Sequence, residues 1–334
     1  MPRNPTIEWS EFMKAIRVNQ NGGSETLSLE DIPNPNPAEG ELLVHLEAAG
    51  VNFIDTYQRS GLYPIPLPFT LGVEGAGRVE ALGGGAEGFQ VGDTVTWSGI
   101  LGAYAEKAVI PAARAVRVPE GLDGKTAAAV LLQGMTAHYL CHDTYPLKTG
   151  EWALVHAAAG GVGLLLIQMC KMLGAKVIGT VSTDEKARLA KEAGADEVIL
   201  YTRQDFETET MRITGNAGVS VVYDAVAATT FEKGLNVLRP RGYMALYGQS
   251  SGKVDPIDPA ILAEKGSLFL TRPTLVNYTT TRDELTARAG AVMGMVRDGK
   301  LNVRIGETFP LAEAKAAHDA LEGRRTTGKV LLIP

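Results

Sequence analysis

The sequence predicts an α/β protein built of two units, a β-rich one and a parallel sheet sheathed by helices. Three observations predict it. The chain has 334 residues, more than one ordinary domain needs. Up to about Pro119 it reads as short apolar strands broken by Gly and Pro. After Lys125, strands and helices alternate regularly, the pattern of βαβ units.

In the first unit MKAIRV and ELLVHLEAAGV read as strands, with Pro33, Pro35 and Pro37 marking the loop between them. The Gly-dense LGVEGAGRVEALGGG suits tight turns and bulges in a strongly bent sheet. GDTVTWSG and GAYAEKAVI follow, giving an irregular barrel or sandwich. TAAAVLLQGMTAHYLCH is a helical run. The alternation then proceeds through WALVHAA, GVGLLLIQMCKMLG, AKVIGTV, DEKARLAKEAG, DEVILY, a helix over Phe206–Ile213, VSVVYDAV, FEKGLNVL and YMALYG. Gly174, Gly194 and Gly215 stand where helices should end in a left-handed cap. After SLFLTR come a long helix over about Arg282–Arg297, then LAEAKAAHDALEGR and GKVLLI, expected to return to the first unit.

Composition narrows the function. Hydrophobic residues at 45% and charged residues at 21% leave no disorder signature. A formal net charge of -6 and a pI near 5.5 argue against nucleic acid and anionic membranes as partners. No apolar run reaches the ~18–20 residues of a membrane span, and Met1–Glu11 is too polar for a secretory signal. Cys141 and Cys170 are the only cysteines, too few for a disulfide framework or a four-thiolate zinc site. A reducing, cytoplasmic setting is the default expectation.

AAAGGVG at Ala157–Gly163 follows the strand Trp152–His156 and opens a helix at about Gly161. In that context Gly160 and Gly161 let the backbone approach a pyrophosphate, Gly163 allows close helix–strand packing, and the helix N-terminus offers free N–H groups. Ala158 takes the place of the first Gly of the commonest fingerprint. The segment therefore points to a dinucleotide and to an oxidoreductase. An NAD site would carry Asp or Glu at the second strand end; here that end reads Gly179-Thr180-Val181-Ser182-Thr183. Small hydroxyls, with Lys186 one turn on and Arg203 past the third strand, favour the 2′-phosphate of NADP. Asp184 and Glu185 are read as first-turn residues, with Ser182 and Glu185 spaced as a capping box.

GVNFIDTYQRSGLYP (Gly50–Pro64), HAAAGGVG, GTVSTDEK, VVYDAV, GSLFLTRP and the closing LLIP together resemble the zinc-independent, zeta-crystallin-like quinone oxidoreductases of the medium-chain dehydrogenase/reductase superfamily. The likeness runs from Met13 onward, leaving Met1–Phe12 as an extension. It implies a GroES-like catalytic domain from residues 1–133 and 271–334 around a Rossmann domain of residues 134–270. It also implies NADPH in the cleft between them and a homodimer joined through the Rossmann sheets. By position, Phe53, Ile54, Asp55 and Tyr57 would line the nicotinamide side, with Thr136 and Tyr139 also at the cofactor. Gly160, Gly161 and Val162 would meet the pyrophosphate. Ser182, Thr183, Lys186 and Tyr201 would surround the 2′-phosphate. Tyr247, Gly248, Gln249 and Ser250, with Pro273, Thr274 and Leu275, would close over nicotinamide and ribose, and Arg324 or Arg325 would lie near the phosphates. The family pattern has Phe and Asn where YGQSSG has Tyr247 and Gln249.

Zinc-dependent relatives place a Cys where this chain has Asn52 and a His–Glu pair near LGVEGAG; Val73 and Glu74 stand there instead, so no catalytic metal is expected. His138, Cys141 and His142 share one helix face by spacing, but lack a fourth ligand. His156 reads as a core histidine. Hydride transfer needs no nucleophile, since the cofactor carries the chemistry. Tyr63 and Tyr57 are the candidate catalytic phenols; in enoyl-thioester reductases a Tyr resembling Tyr63 acts in proton donation. Asn52 and Gln133 would be polar wall residues. The expected acceptor is a small apolar electrophile, a quinone first and an enal, enone or enoyl thioester second. An NADPH-binding protein of structural or RNA-binding role with little turnover is the third reading.

Overall fold

The computed structural model describes residues 11–334, so the extension expected over Met1–Phe12 lies almost wholly outside the described residues. The first unit runs β1 (Phe12–Val18), β2 (Leu27–Pro33), β3 (Glu41–Val51), α1 (Phe53–Arg59), β4 (Phe69–Thr70), β5 (Glu74–Leu82), β6 (Thr94–Ser98), β7 (Lys107–Pro111) and β8 (Val116–Arg117). Strands β2, β1 and β4 form a small antiparallel sheet, and β3 pairs with both β5 and β7 in a larger, bulged one. Trp97 and Tyr104, both fully buried, fill its core.

Helix α2 (Gly124–Tyr139), capped where the Asp123 carboxylate accepts the Thr126 N–H at 2.6 Å, carries the chain across. The expected 133/134 boundary falls inside this helix. The second unit runs β9 (Trp152–Val155), α3 (Gly161–Met172), β10 (Lys176–Val181), α4 (Asp184–Glu192), β11 (Glu197–Leu200), α5 (Phe206–Ile213), β12 (Val219–Asp224), α6 (Phe231–Asn236), β13 (Leu238–Leu246), α7 (Ala260–Glu264) and β14 (Phe269–Thr271). Its six strands are parallel in the order β11-β10-β9-β12-β13-β14, which reverses direction between β9 and β12. Every residue of β12 is buried, as a central parallel strand sheathed on both faces requires. Leu154, Ile178 and Val222 pack on one face, Val155, Val177 and Val221 on the other.

The chain then returns through α8 (Arg282–Arg297), β15 (Ile305–Pro310), α9 (Ala314–Glu322) and β16 (Lys329–Ile333), which pairs antiparallel with β3. A parallel bridge from Gly160 to Gly328 links this returning segment to the Gly-rich turn. The sequence reading missed six elements, two of them the two-residue strands β4 and β8. Pro33 ends strand β2 rather than lying in a loop; β2 is a sheet edge, where a missing N–H costs nothing. Strand β15 is likewise a half-exposed edge without an apolar face, and α1 and α7 are too short to show a period. GAYAEKAVI shortens to a strand that begins only at Lys107.

Candidate active site

At the carboxyl ends of the parallel strands, where the strand order reverses, a cleft of about 990 Å³ opens between the two units. The N-terminus of α3 faces it through Gly160, Gly161 and Val162, with no acidic residue in the first turn. The unpaired N–H groups and positive dipole end there suit a pyrophosphate. The left-handed residue of the turn is Ala157 (φ 52°) rather than Ala158, which is buried. A Cβ on Gly163 would lie 2.4 Å from the Ala157 carbonyl oxygen, so helix and turn meet only because it is Gly.

Ser182, Lys186, Tyr201 and Arg324 line one end of the cleft. Lys186 Nζ donates to the Arg324 carbonyl at 2.6 Å, and burial followed by the Arg324 charge lowers its pKa. Three expectations here are corrected. The cap of α4 is Thr183, whose hydroxyl accepts the Lys186 N–H at 3.3 Å in place of the Ser182–Glu185 box, and Thr183 is not among the lining residues. Arg203 pairs with Asp184 at 2.9 Å on the surface. Arg325 does not line the cleft, whereas Arg324, held in the left-handed region, does.

The other end is walled by α1. Phe53, Ile54 and Tyr57 face the cleft, and Tyr63 meets Tyr57 edge-on at 5.4 Å. The Gln249 backbone N–H reaches the Tyr57 hydroxyl, while burial pushes that phenol up to about 12. Thr136 and Tyr139 from α2, Tyr247 and Ser250 after β13, and Pro273, Thr274 and Leu275 after β14 complete the wall. Gly248 and Gln249, expected at the cofactor, are not among the lining residues. Asp55, expected in the nicotinamide wall, is fully buried beneath it. There its carboxyl accepts the Asn52 N–H at 2.8 Å and the Tyr104 hydroxyl at 2.9 Å. Burial raises its pKa to about 7. Tyr104 in turn meets His318, and Arg59 forks onto Glu322 at 3.0 and 2.8 Å, fastening α1 to α9.

Beneath this wall lies a group that sequence reasoning only half found. Asn52 and Gln133 line the cleft as expected, with the Gln133 amide donating to Asn52 Oδ1 at 3.3 Å. Asn52 Oδ1 also accepts from Lys329 Nζ at 2.9 Å, and Asn52 Nδ2 donates to Glu74 Oε2 at 2.9 Å. Lys329 closes the group on Glu74 in a short ion pair whose side chains are 1% and 0% exposed. The other Glu74 oxygen accepts the Leu132 N–H of α2 at 2.6 Å. Gly50 leaves the room: a Cβ there would sit 2.3 Å from Glu74 Oε2. Lys329 was legible only as a cation inside the otherwise apolar GKVLLI.

His156 borders the cleft with its Nδ1 2.9 Å from Thr180 Oγ1; burial lowers its pKa and keeps it neutral. The His138 and His142 rings lie 4.2 Å apart, and the buried Cys141 thiol meets both His142 and Cys170. No group of three or more His, Cys, Asp or Glu among the described residues could hold a metal. Nor, among them, is any helix long and apolar enough to cross a membrane.

Comparison with known proteins agrees with this architecture. Residues 38–120 match the alcohol dehydrogenase GroES-like domain and residues 161–287 the zinc-binding dehydrogenase family. The chain is 46% identical to the quinone oxidoreductase of Pseudomonas aeruginosa over 96% of its own length and 99% of that protein's. It is 42% identical to a 2-haloacrylate reductase of Burkholderia, over 97% of its length and 99% of the relative's. The Escherichia coli quinone oxidoreductase, solved with NADPH, superposes with a TM-score of 0.94 at 44% identity, covering 96% of this chain and 100% of that one. The chain belongs to the zeta-crystallin-like quinone oxidoreductases of the medium-chain dehydrogenase/reductase superfamily.

Proposed function

We propose that this protein reduces quinones with NADPH and without zinc. The observation that carries this reading is the contrast between the two ends of one cleft. Lys186 and Arg324 at one end suit a 2′-phosphate; the aromatic wall of Phe53, Tyr57 and Tyr63 at the other suits an apolar acceptor. The relatives named quinone oxidoreductase, one of them solved with NADPH, support it. Bound there, the cofactor supplies a hydride. The chain positions it through the α3 N-terminus and excludes water with the α1 wall. Tyr57, whose hydroxyl is engaged by Gln249, orients. Tyr63, whose hydroxyl makes no hydrogen bond with the described residues, is the group able to pass a proton to the reduced oxygen. The residues at the metal position do not fit zinc. Two of them are an amide and an ammonium, and Lys329 already brings the positive charge that Glu74 requires.

Reduction of an activated C=C bond is the second reading, favoured by the 2-haloacrylate reductase among the relatives. NADPH oxidation with 1,4-benzoquinone and with a short 2-alkenal decides between them. A quinone reaction absent from an enzyme active on the alkenal sinks the first reading. NADPH binding without turnover on either acceptor favours a non-enzymatic role. We further propose a homodimer through β14, an open sheet edge bearing Phe269 at 49% and Leu270 at 37% exposure. Sedimentation of a Leu270→Lys variant as a monomer supports that edge, and an unchanged dimer discounts it. A reducing, cytoplasmic setting suits the two buried free thiols, Cys141 and Cys170.

A further inference from the structure

Among the described residues, five cationic side chains line the cleft, Arg114, Lys186, Lys233, Arg272 and Arg324, against one carboxylate, Asp205. Lys233 is paired with that carboxylate, and Lys186 and Arg324 belong to the nucleotide end. Arg114 and Arg272 are left over, and neither has an acidic partner among the described residues. Each is tethered by one N–H to a backbone carbonyl: Arg272 Nη1 to Leu246 at 3.0 Å, Arg114 Nη1 to Thr279 at 2.7 Å. Arg272 stands near enough to Tyr57 and Tyr139 for its charge to favour the ionised form of both phenols. That places it beside the aromatic wall. Arg114 has a second cation, Arg282, close enough to depress the latter's pKa after burial has done so. Unneutralised guanidinium groups around an apolar cleft raise the local concentration of anions and offer paired donors to a planar oxyanion.

We infer that the acceptor end takes an electrophile bearing an anionic group, a carboxylate or sulfonate, which Arg272 and Arg114 receive while its reducible part lies against Tyr57 and Tyr63. This rests on the reductase reading above and narrows its substrate class. The acceptor gains the hydride of the bound nicotinamide and one proton from Tyr63 or water. A C=O or C=C π bond breaks, and the cofactor leaves oxidised. The anionic group keeps all its bonds.

The test compares 1,2-naphthoquinone with 1,2-naphthoquinone-4-sulfonate in the full-length protein and in Arg114→Ala, Arg272→Ala and Arg272→Lys variants. Loss of a charge-assisted contact should lower the ratio of kcat/KM for the sulfonate to that for the parent quinone by about tenfold to a hundredfold in each alanine variant. The lysine variant should recover most of it. A ratio unchanged within about twofold of wild type overturns the inference. So does a loss shared by both quinones together with weaker NADPH binding in a fluorescence titration, because the arginines then serve the cofactor. If wild type reduces neither quinone, the reductase reading fails on its own. Calorimetry with naphthalene-1-sulfonate, which cannot be reduced, then decides. Weaker binding in both alanine variants upholds the anion site, and equal binding or none in wild type overturns it.

Discussion

The two ends of the cleft are built by opposite means. The nucleotide end is mostly local: a strand, a Gly-rich turn and the first turn of α3, followed by β10 and the cap of α4, lie within Trp152–Lys186, and Tyr201 and Arg324 join from outside that stretch. Its working groups are backbone N–H groups and a few side chains at the surface of the turn. The acceptor end is assembled from Asn52, Glu74, Gln133 and Lys329, drawn from the cap of α1, two strands and α2, and is held by a buried ion pair. One end therefore should tolerate side-chain changes with a local loss of affinity, whereas the other should answer them with global instability.

Removing one partner of the buried pair is the strongest way to sharpen that contrast. Lys329→Ala leaves Glu74 buried and uncompensated and should cost about 3–5 kcal/mol in urea unfolding. Lys329→Met combined with Glu74→Gln should recover most of that loss. If the single variant is as stable as wild type, the acceptor end is not held by charge.

Next comes Asp55. Its folded pKa near 7 lies above the ordinary carboxylate value of 3.8, so the folded state keeps the proton that the unfolded chain releases. Stability supplied by this group is full below pH 4 and is lost as pH rises through 7. Asp55→Asn, which retains an acceptor for Asn52 and Tyr104, should gain roughly 2–4 kcal/mol on wild type between pH 4 and 8. A pH-independent difference would contradict the assignment. At the nucleotide end the effects are smaller. Lys186→Ala should weaken NADPH about tenfold in a fluorescence titration and leave NADH unchanged. Equal losses for both cofactors would move the 2′-phosphate elsewhere. Smallest, Thr183→Ala should remove the cap of α4 for about 1 kcal/mol with little change in NADPH affinity.

The same division explains what the sequence disclosed. The parallel unit was legible almost element by element, because its strands are continuous apolar runs and its helices end in Gly. The helices over Phe206–Ile213 and Arg282–Arg297 fall where periodicity put them. The first unit was legible only in its buried strands; β2 and β15 are edges whose mixed exposure leaves no alternation to read. At the site, residues within one motif share one wall, as Phe53, Ile54 and Tyr57 do. Asp55 went wrong because position along a short helix does not say which face meets the cleft. Lys329 stayed unassigned because its partners lie 255 and 277 residues away, and no local pattern announces such a pairing.

That separation also orders the birth of the molecule. Glu74 is synthesised 255 residues before the lysine that neutralises it, and the entire parallel sheet is made in between. Until β16 is laid beside β3, the first unit holds Glu74 without the lysine that answers its charge. The growing first unit therefore lacks its buried ion pair, and the cleft acquires its final electrostatics only when β16 arrives.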